Sequence, residues 1–294
     1  MNTGIKIAVF IDRLLPLALK RAAARGFSRL AYGLLHKHKL IAVHNLSRSF
    51  PEKSLKEILQ IIKDSYASFA QLFVEFPQLL YLNRGNISDW VTVKGLEHYE
   101  KACSSGKGVL LFSAHFGNWE MGNAALALLS TPPTFMARKL DSPFLESFTT
   151  YARNRLGIGK LDKEHAMRLV LGLLRKGEPL LLLIDQNVAA REGVFITFFG
   201  RPACATAGIA LMALHTGAAV LPIFTTRLPD GRYLTEIGAQ VPTINTGDRE
   251  ADVLQNTQNY NTIIEEHVRR HPGQWLWLHQ RWKTKRCQLR RRRT

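Results

Sequence analysis

Cysteine is scarce in this chain of 294 residues: Cys103, Cys204 and Cys287 are scattered, with no CxxC spacing. That excludes a disulfide framework and a thiolate metal site, and it fits a reducing compartment. HExxH does not occur and the ten histidines are dispersed, so no metal is expected. Neither Gly106-Lys107 nor Gly159-Lys160 has a glycine five residues before its Gly, no GxGxxG follows an apolar run, and GxSxG is missing. A phosphate loop, a dinucleotide fold and a serine-hydrolase elbow are thereby removed, and no cofactor is expected. Long apolar runs are also lacking. The first such stretch, "IKIAVFIDRLLPLALKRAAARGFSRLAYGLL", is broken by Asp12, Arg13 and Pro16. It falls short of the roughly 20 apolar residues that span a bilayer. No small-residue cleavage site follows it, which counts against a secretory signal.

Acid is in short supply as well, with 23 Asp and Glu against 40 Lys and Arg for a net charge of +17. The imbalance sits at the ends. Residues 1–50 hold nine Lys or Arg against Asp12 alone, and residues 281–294 hold eight with no acid, so the middle is close to neutral. Basic ends call for a polyanion, either nucleic acid or an anionic lipid surface, unless "RRRR" at 290–293 is simply a solvated tail. The N-terminus favours lipid. It sets Ile7, Ile11, Leu14, Leu15, Ala18 and Ala22 on one helical face and Lys6, Arg13 and Lys20 on another. That is the pattern of a basic amphipathic helix lying in the membrane interface; the alternative is a helix packed on the domain.

With 46% hydrophobic residues the chain affords a substantial core. "FPEKSLKEILQIIKDSYASFAQLF" opens on a capping box, Ser54 and Glu57, and carries Leu55, Ile58, Leu59, Ile62, Tyr66, Phe69 and Phe73 at helical spacing, ending near Pro77. Strands are predicted at 108–112, 134–137, 180–185, 219–226 and 233–238, alternating with helices at 119–130, 143–156, 164–176, 205–216 and 250–270. Buried strands separated by helices give an α/β layered domain with a mostly parallel central sheet flanked by helices. The organisation expected is a basic amphipathic segment over 1–50, one domain over 51–286 and a basic tail over 287–294.

In open α/β sheets, ligands collect beyond the carboxyl ends of strands. Here those ends carry His115, Arg138, and Asp185 with Gln186. The stretch "SAHFGNWEMGN" puts His115 after a strand and Glu120 in the first turn of a helix. An offset of five does not face on a continuous helix, but a bend between the two lets the carboxylate swing back beneath the ring. Such a pair suits direct transfer, the imidazole removing a proton from a hydroxyl and the carboxylate fixing its tautomer. Helix N-terminal amides nearby would favour a developing oxyanion.

The segment resembles the H-x4-D/E motif of glycerolipid-type acyltransferases, and specifically the lipid A late acyltransferase family. Further blocks carry the resemblance from about Leu40 to Arg286: "MARKLDSPFLESFTTYARNRLG", "LLRKGEPLLLLIDQN", "VFITFFGRPACATAGIALMALHTGAAVLPIF" and "WLWLHQRWKTK". H-x4-E by itself is common; the ordered set is not.

The resemblance implies a glycerolipid acyltransferase-like fold and transfer of a fatty acyl group from a thioester, on acyl carrier protein or acyl-CoA, to a hydroxyl of an anionic glycolipid, a lipid A precursor. His115 is then the base and Glu120 its orienting partner. Arg138 binds phosphate or sugar carboxylate or steadies the oxyanion, Arg153 and Arg155 are similar candidates, and Asp185 with Gln186 binds sugar hydroxyls or orders the site. "FFGRPA" becomes a loop near the acyl or acceptor channel, and Phe69 and Phe73 line an acyl groove or pack in the core. The expected place is the cytoplasmic face of a Gram-negative inner membrane, attached as a peripheral or monotopic protein, with no nucleic-acid partner. Two alternatives stay open: the same fold acting on a lysophospholipid or another glycolipid, and a non-catalytic basic protein that binds membrane or nucleic acid.

Overall fold

The structure is a computed structural model that describes residues 3–162 and 167–285. The tail expected over 287–294 and the start of the helix expected from 164 lie outside the described residues. Three helices open the chain: α1 (Thr3–Leu14), α2 (Leu17–Leu34) and α3 (His36–Ser49). Pro16 separates the first two, since it has no amide to continue the ladder. A buried Lys20–Asp12 ion pair at 2.7 Å ties them together across that break.

Helix α4 (Leu55–Glu75) starts on the expected capping box: the Ser54 amide donates to Glu57 Oε2 at 2.8 Å and the Glu57 amide to Ser54 Oγ. Its inner face is Ile58, Ile61, Ile62, Tyr66 and Ala70. Leu55 and Phe73, expected on that face, are exposed. After a 3-10 turn at Phe76–Leu80 come α5 (Ile87–Trp90), β1 (Val91–Lys94) and α6 (Leu96–Ser104). The layered part then runs β2 (Val109–Ser113), α7 (Trp119–Leu129), β3 (Thr134–Ala137), α8 (Pro143–Arg155), β4 (Lys160–Asp162), α9 (Met167–Arg175) and β5 (Pro179–Leu183). It closes with β6 (Gly193–Phe198), β7 (Arg201–Thr206), α10 (Gly208–Thr216), β8 (Ala219–Arg227), β9 (Tyr233–Ile237) and α11 (Arg249–Arg270).

The seven-stranded sheet has the order β1-β9-β8-β2-β5-β3-β4 and is parallel at every pair except β8–β9. Both faces are covered, which is why β2 reads as an unbroken apolar run. Leu110 and Phe112 enter the core shared with α4, α9, α10 and α11, while Val109 and Leu111 enter the one shared with α6, α7 and α8. "FFGRPA" is not a loop. It spans the end of β6, the turn and the start of β7 in a hairpin, with Phe199 at φ 49 and Gly200 at φ 68 supplying the left-handed pair that a tight turn needs. Residues 205–206, expected to begin a helix, finish that hairpin.

A buried polar cluster joins α2 to the sheet. Glu75 accepts from Arg227 at 2.7 and 2.9 Å, from Arg21 at 2.7 Å and from the Tyr233 hydroxyl, and Asn118 Nδ2 donates to that hydroxyl at 3.2 Å. The face that α2 turns inward is Lys20, Ala24 and Ser28. Its outward side carries Leu19, Phe27, Leu30 and Leu34, each more than half exposed.

Candidate active site

β2 and β5 pair in parallel with Ser113 opposite Leu183, and the Ile184 amide donates to the Ser113 carbonyl at 3.1 Å. Two residues further along each strand stand His115 and Asp185, so the register itself brings them together. His115 Nδ1 is 2.8 Å from Asp185 Oδ1. Oδ2 of Asp185 accepts from the His115 amide at 3.0 Å and from the Trp275 indole N–H at 2.8 Å. The His115 carbonyl in turn accepts from the Leu276 amide at 3.1 Å. Backbone and ring of His115 are thus clamped by a strand neighbour and by the strap of residues 275–285.

Burial by itself would raise the Asp185 pKa, but the His115 charge and hydrogen bond, His279 and the Trp275 donor outweigh it and hold the carboxyl well below the usual range. Asp185 is completely buried, out of reach of any sugar hydroxyl. His279 is lowered to about 4 by burial, against the pull of Asp185, and stays neutral. His115 keeps 22% of its side chain exposed, so the ring has an inner edge on the carboxylate and an outer edge toward solvent. With a proton on Nδ1 bonded to Asp185, Nε2 is left as a lone pair. Gln186 Nε2 lies 3.3 Å from it.

Glu120 does not meet His115. Its carboxylate takes two bonds from Arg153, Nε to Oε2 at 3.1 Å and Nη2 to Oε1 at 2.5 Å, and a third from the Trp119 indole at 3.1 Å. The reason is the helix: Glu120 is the second residue of α7 and points toward α8, while Trp119 stands beside the imidazole with ring centroids 5.3 Å apart. Glu120 and Arg153 are both buried. Arg155 turns the other way and donates to the Leu80 carbonyl at 2.9 Å. Arg138 follows β3 on an exposed segment and pairs with Asp141 at 3.0 Å. Phe69 touches Trp119, with centroids 6.0 Å apart, while Phe73 is exposed. Nor are the amides at the start of α7 all available to an oxyanion: Gly117 donates to Gln274 O, Asn118 to Thr225 O, and Met121 to the Asn118 side chain.

The bend between His115 and α7 requires Gly117. Its φ is +53, and a Cβ there would lie 1.9 Å from the Thr225 carbonyl oxygen. Trp275 is the main residue that sequence reasoning missed; its signal was the aromatic spacing of "WLWLHQRW". Arg281, fully buried, donates to the Cys204 carbonyl and to Asn261, and burial lowers its pKa to about 10. No grouping of three or more His, Cys, Asp or Glu among the described residues would hold a metal.

The sequence profile of the bacterial lipid A biosynthesis acyltransferases matches residues 4–284. The chain belongs to that family. It is 26% identical to the lipid A biosynthesis lauroyltransferase of Escherichia coli (strain K12), over 88% of this chain and 84% of that protein. It is 28% identical to a lipid A biosynthesis acyltransferase of Haemophilus influenzae over 96% and 88% of the two chains. It is also 27% identical to the phosphatidylinositol mannoside acyltransferase of Mycolicibacterium smegmatis over 76% and 72%. Among solved structures it is similar to the 1-acyl-sn-glycerophosphate acyltransferase from Thermotoga maritima, at 14% identity and a TM-score of 0.40 over 88% of this chain and 99% of that one. This member of the lipid A acyltransferase family is accordingly an O-acyltransferase.

Proposed function

We propose that the protein moves a fatty acyl chain from a thioester to a hydroxyl of a lipid A-type glycolipid by direct attack, with His115 as general base and Asp185 as its orienting carboxylate. The observation that carries this is the Nδ1 to Oδ1 contact of 2.8 Å, which leaves Nε2 on the exposed edge of the ring. An acceptor hydroxyl that displaces the Gln186 amide gives its proton to Nε2 as its oxygen bonds the thioester carbonyl carbon. The imidazolium is stabilised by Asp185. Collapse of the tetrahedral oxyanion breaks the C–S bond, and His115 returns the proton to the departing thiolate. Gln186, released from the ring, is placed to donate to the oxyanion. Glu120 and Arg153 act indirectly, as a buried ion pair that fixes Trp119 and the start of α7.

The inside-out character of α2 supports peripheral attachment to a membrane. Small and polar groups face the protein while Phe27, Leu30 and Leu34 face out among the basic residues of the first fifty. No helix among the described residues is long and apolar enough to cross a bilayer. Such a face inserts into the interface while Lys and Arg meet anionic lipid, at about 1 kcal/mol per charge near the surface. The cytoplasmic leaflet and an acidic carrier protein as donor fit the same charge.

The test is acyl transfer by the purified protein from acyl carrier protein or acyl-CoA to a lipid A precursor, with products read by mass spectrometry. His115→Ala is expected to lower turnover about 10² to 10⁴-fold with folding intact. A His115→Ala enzyme within a factor of three of wild type removes the mechanism. Transfer to a mannosylated phosphoinositide but not to the lipid A precursor selects a second reading, favoured by the similarity to the Mycolicibacterium enzyme.

A further inference from the structure

A cleft of about 790 Å³ opens between α3, the β6–β7 hairpin and the end of the 275–285 strap. Its walls present His44, Arg48, Arg201 and Lys283 beside Trp282 and Leu40, and no Asp or Glu lines it. Among the described residues no carboxylate lies within 4.0 Å of the charged groups of Arg48, Arg201 or Lys283. The Arg201 guanidinium lies 3.6 Å over the Trp282 ring and is steadied by Nη2 bonds to the Asn45 carbonyl and Ser49 Oγ. Its Nε is buried with no hydrogen-bond partner among the described residues.

Burial and the neighbouring Arg48 lower the Arg201 pKa to about 10, and burial together with Arg48 and Arg201 lowers that of His44. Positive charge is therefore gathered on Arg48, Arg201 and Lys283 with no carboxylate paired to them among the described residues. A stacked guanidinium fork with a second Arg beside it is the geometry that suits phosphate oxygens. The rim is apolar in one direction: Leu40 is 67% exposed and continues the exposed run of Leu30, Leu34 and Leu35.

We propose that this cleft binds the phosphate headgroup of a lipid, the alkyl part lying along Leu40 toward the α2 face. Its far wall is tied to the catalytic loop, because Asn187 Nδ2 donates to Thr284 Oγ1 at 3.0 Å and the Thr284 amide to Asn187 Oδ1 at 3.1 Å. That the lipid is the acyl acceptor rests on the acyl-transfer reading; the binding does not.

The experiment is calorimetric titration of the full chain with octyl phosphate, octyl glucoside and inorganic phosphate, for wild type, Arg48→Gln and Arg201→Gln. Octyl phosphate is expected to bind wild type, and each substitution to weaken it about ten- to a hundredfold. Octyl glucoside is expected to show no dependence on either Arg. Arg201 also holds α3, so the exposed Arg48 keeps the outcome decidable should Arg201→Gln misfold. Equal octyl phosphate affinity in wild type and Arg48→Gln overturns the site. Inorganic phosphate binding as tightly as octyl phosphate overturns its assignment to a lipid. In turnover, Arg48→Gln is expected to raise KM for a phosphorylated acceptor and not for the thioester; the reverse pattern assigns the cleft to the donor and overturns the proposal. Absence of acyl transfer with every acceptor defeats the acyl-transfer reading while leaving the titration result standing.

Discussion

Asp185→Asn separates the two carboxylates near His115. Asp185 uses both oxygens, one for the imidazole and one for the His115 amide and the Trp275 indole. Asparagine has a single acceptor oxygen. Placing it at the imidazole sets its NH2 against the other two donors and leaves them buried and unpaired, at about 1 to 3 kcal/mol each. Placing it at those two donors is therefore preferred, and the NH2 then faces Nδ1. The ring must turn to the Nε2–H tautomer, with its lone pair aimed inward and a proton where the acceptor hydroxyl should deliver one. A loss of about 10³ to 10⁴ in kcat is expected, with KM little changed. Stability should fall by about 1 kcal/mol, a shift of a few degrees in Tm. Glu120→Gln should behave in the opposite way. It strips a buried Arg153 of its counterion, which costs about 3 to 5 kcal/mol and on the order of 10 °C, while the His115 tautomer is untouched. The assay is steady-state acyl transfer alongside thermal unfolding of both variants. Asp185→Asn retaining a tenth of wild-type kcat, or Glu120→Gln folding normally yet losing 10³ in kcat, would rule out Asp185 as the orienting carboxylate.

Three further outcomes follow from other parts of the structure. Gly117→Ala puts a Cβ on a backbone at φ +53 and 1.9 Å from a carbonyl oxygen, so a loss of about 3 kcal/mol or more is expected by chemical denaturation; a loss under 1 kcal/mol would show that the turn relaxes freely. His267 accepts from Arg270 on Nδ1, shares a hydrogen bond with Thr226 through Nε2 and stacks on Phe224, and its pKa is lowered to about 3 by burial, with Arg270 and His271 adding to it. Because the unfolded state takes up this proton below its ordinary pKa and the folded state does not, stability falls as pH drops from about 6.5 toward 3. The share of His267 is about 2 kcal/mol by pH 5, and His267→Phe should flatten the denaturation-versus-pH curve by that amount. Phe27→Ser with Leu34→Ser, both on the outward face of α2, should weaken binding to anionic vesicles by about 1 to 2 kcal/mol per residue in a flotation assay without lowering Tm; unchanged flotation contradicts the membrane-facing assignment.

Much of the fold was legible because β2, β5 and β8 are buried on both faces and read as continuous apolar runs, and together with β3 and β9 they fell within a residue or two of their places. Three- and four-residue edge strands such as β1 and β4 carry too few residues for a period to show. The β6–β7 hairpin was hidden because Phe199, a bulky residue, occupies a left-handed turn position. His115 was legible from its position after an apolar strand. Asp185 was legible as a strand-end residue beside the same crevice, but its pairing with the imidazole was not, since it is 70 residues away and adjacent only through the Ser113–Leu183 register. Proximity in sequence favoured Glu120, and the direction of the helix carried that side chain to Arg153 instead. The amphipathic character of the N-terminus was plain; which face turns inward depended on the Lys20–Asp12 pair and on small residues meeting α4, neither of which periodicity reveals.

General-base action by His115 depends on where one proton sits. Selective ¹⁵N labelling of the histidines, with His115 assigned by its loss in His115→Ala, reads the tautomer directly at neutral pH. The expected result is the Nδ1–H form, with Nε2 an unprotonated acceptor, and its conversion to Nε2–H in Asp185→Asn while Glu120→Gln leaves it unchanged. An Nε2–H ring in the wild-type protein, or a tautomer that responds to Glu120 and not to Asp185, contradicts it.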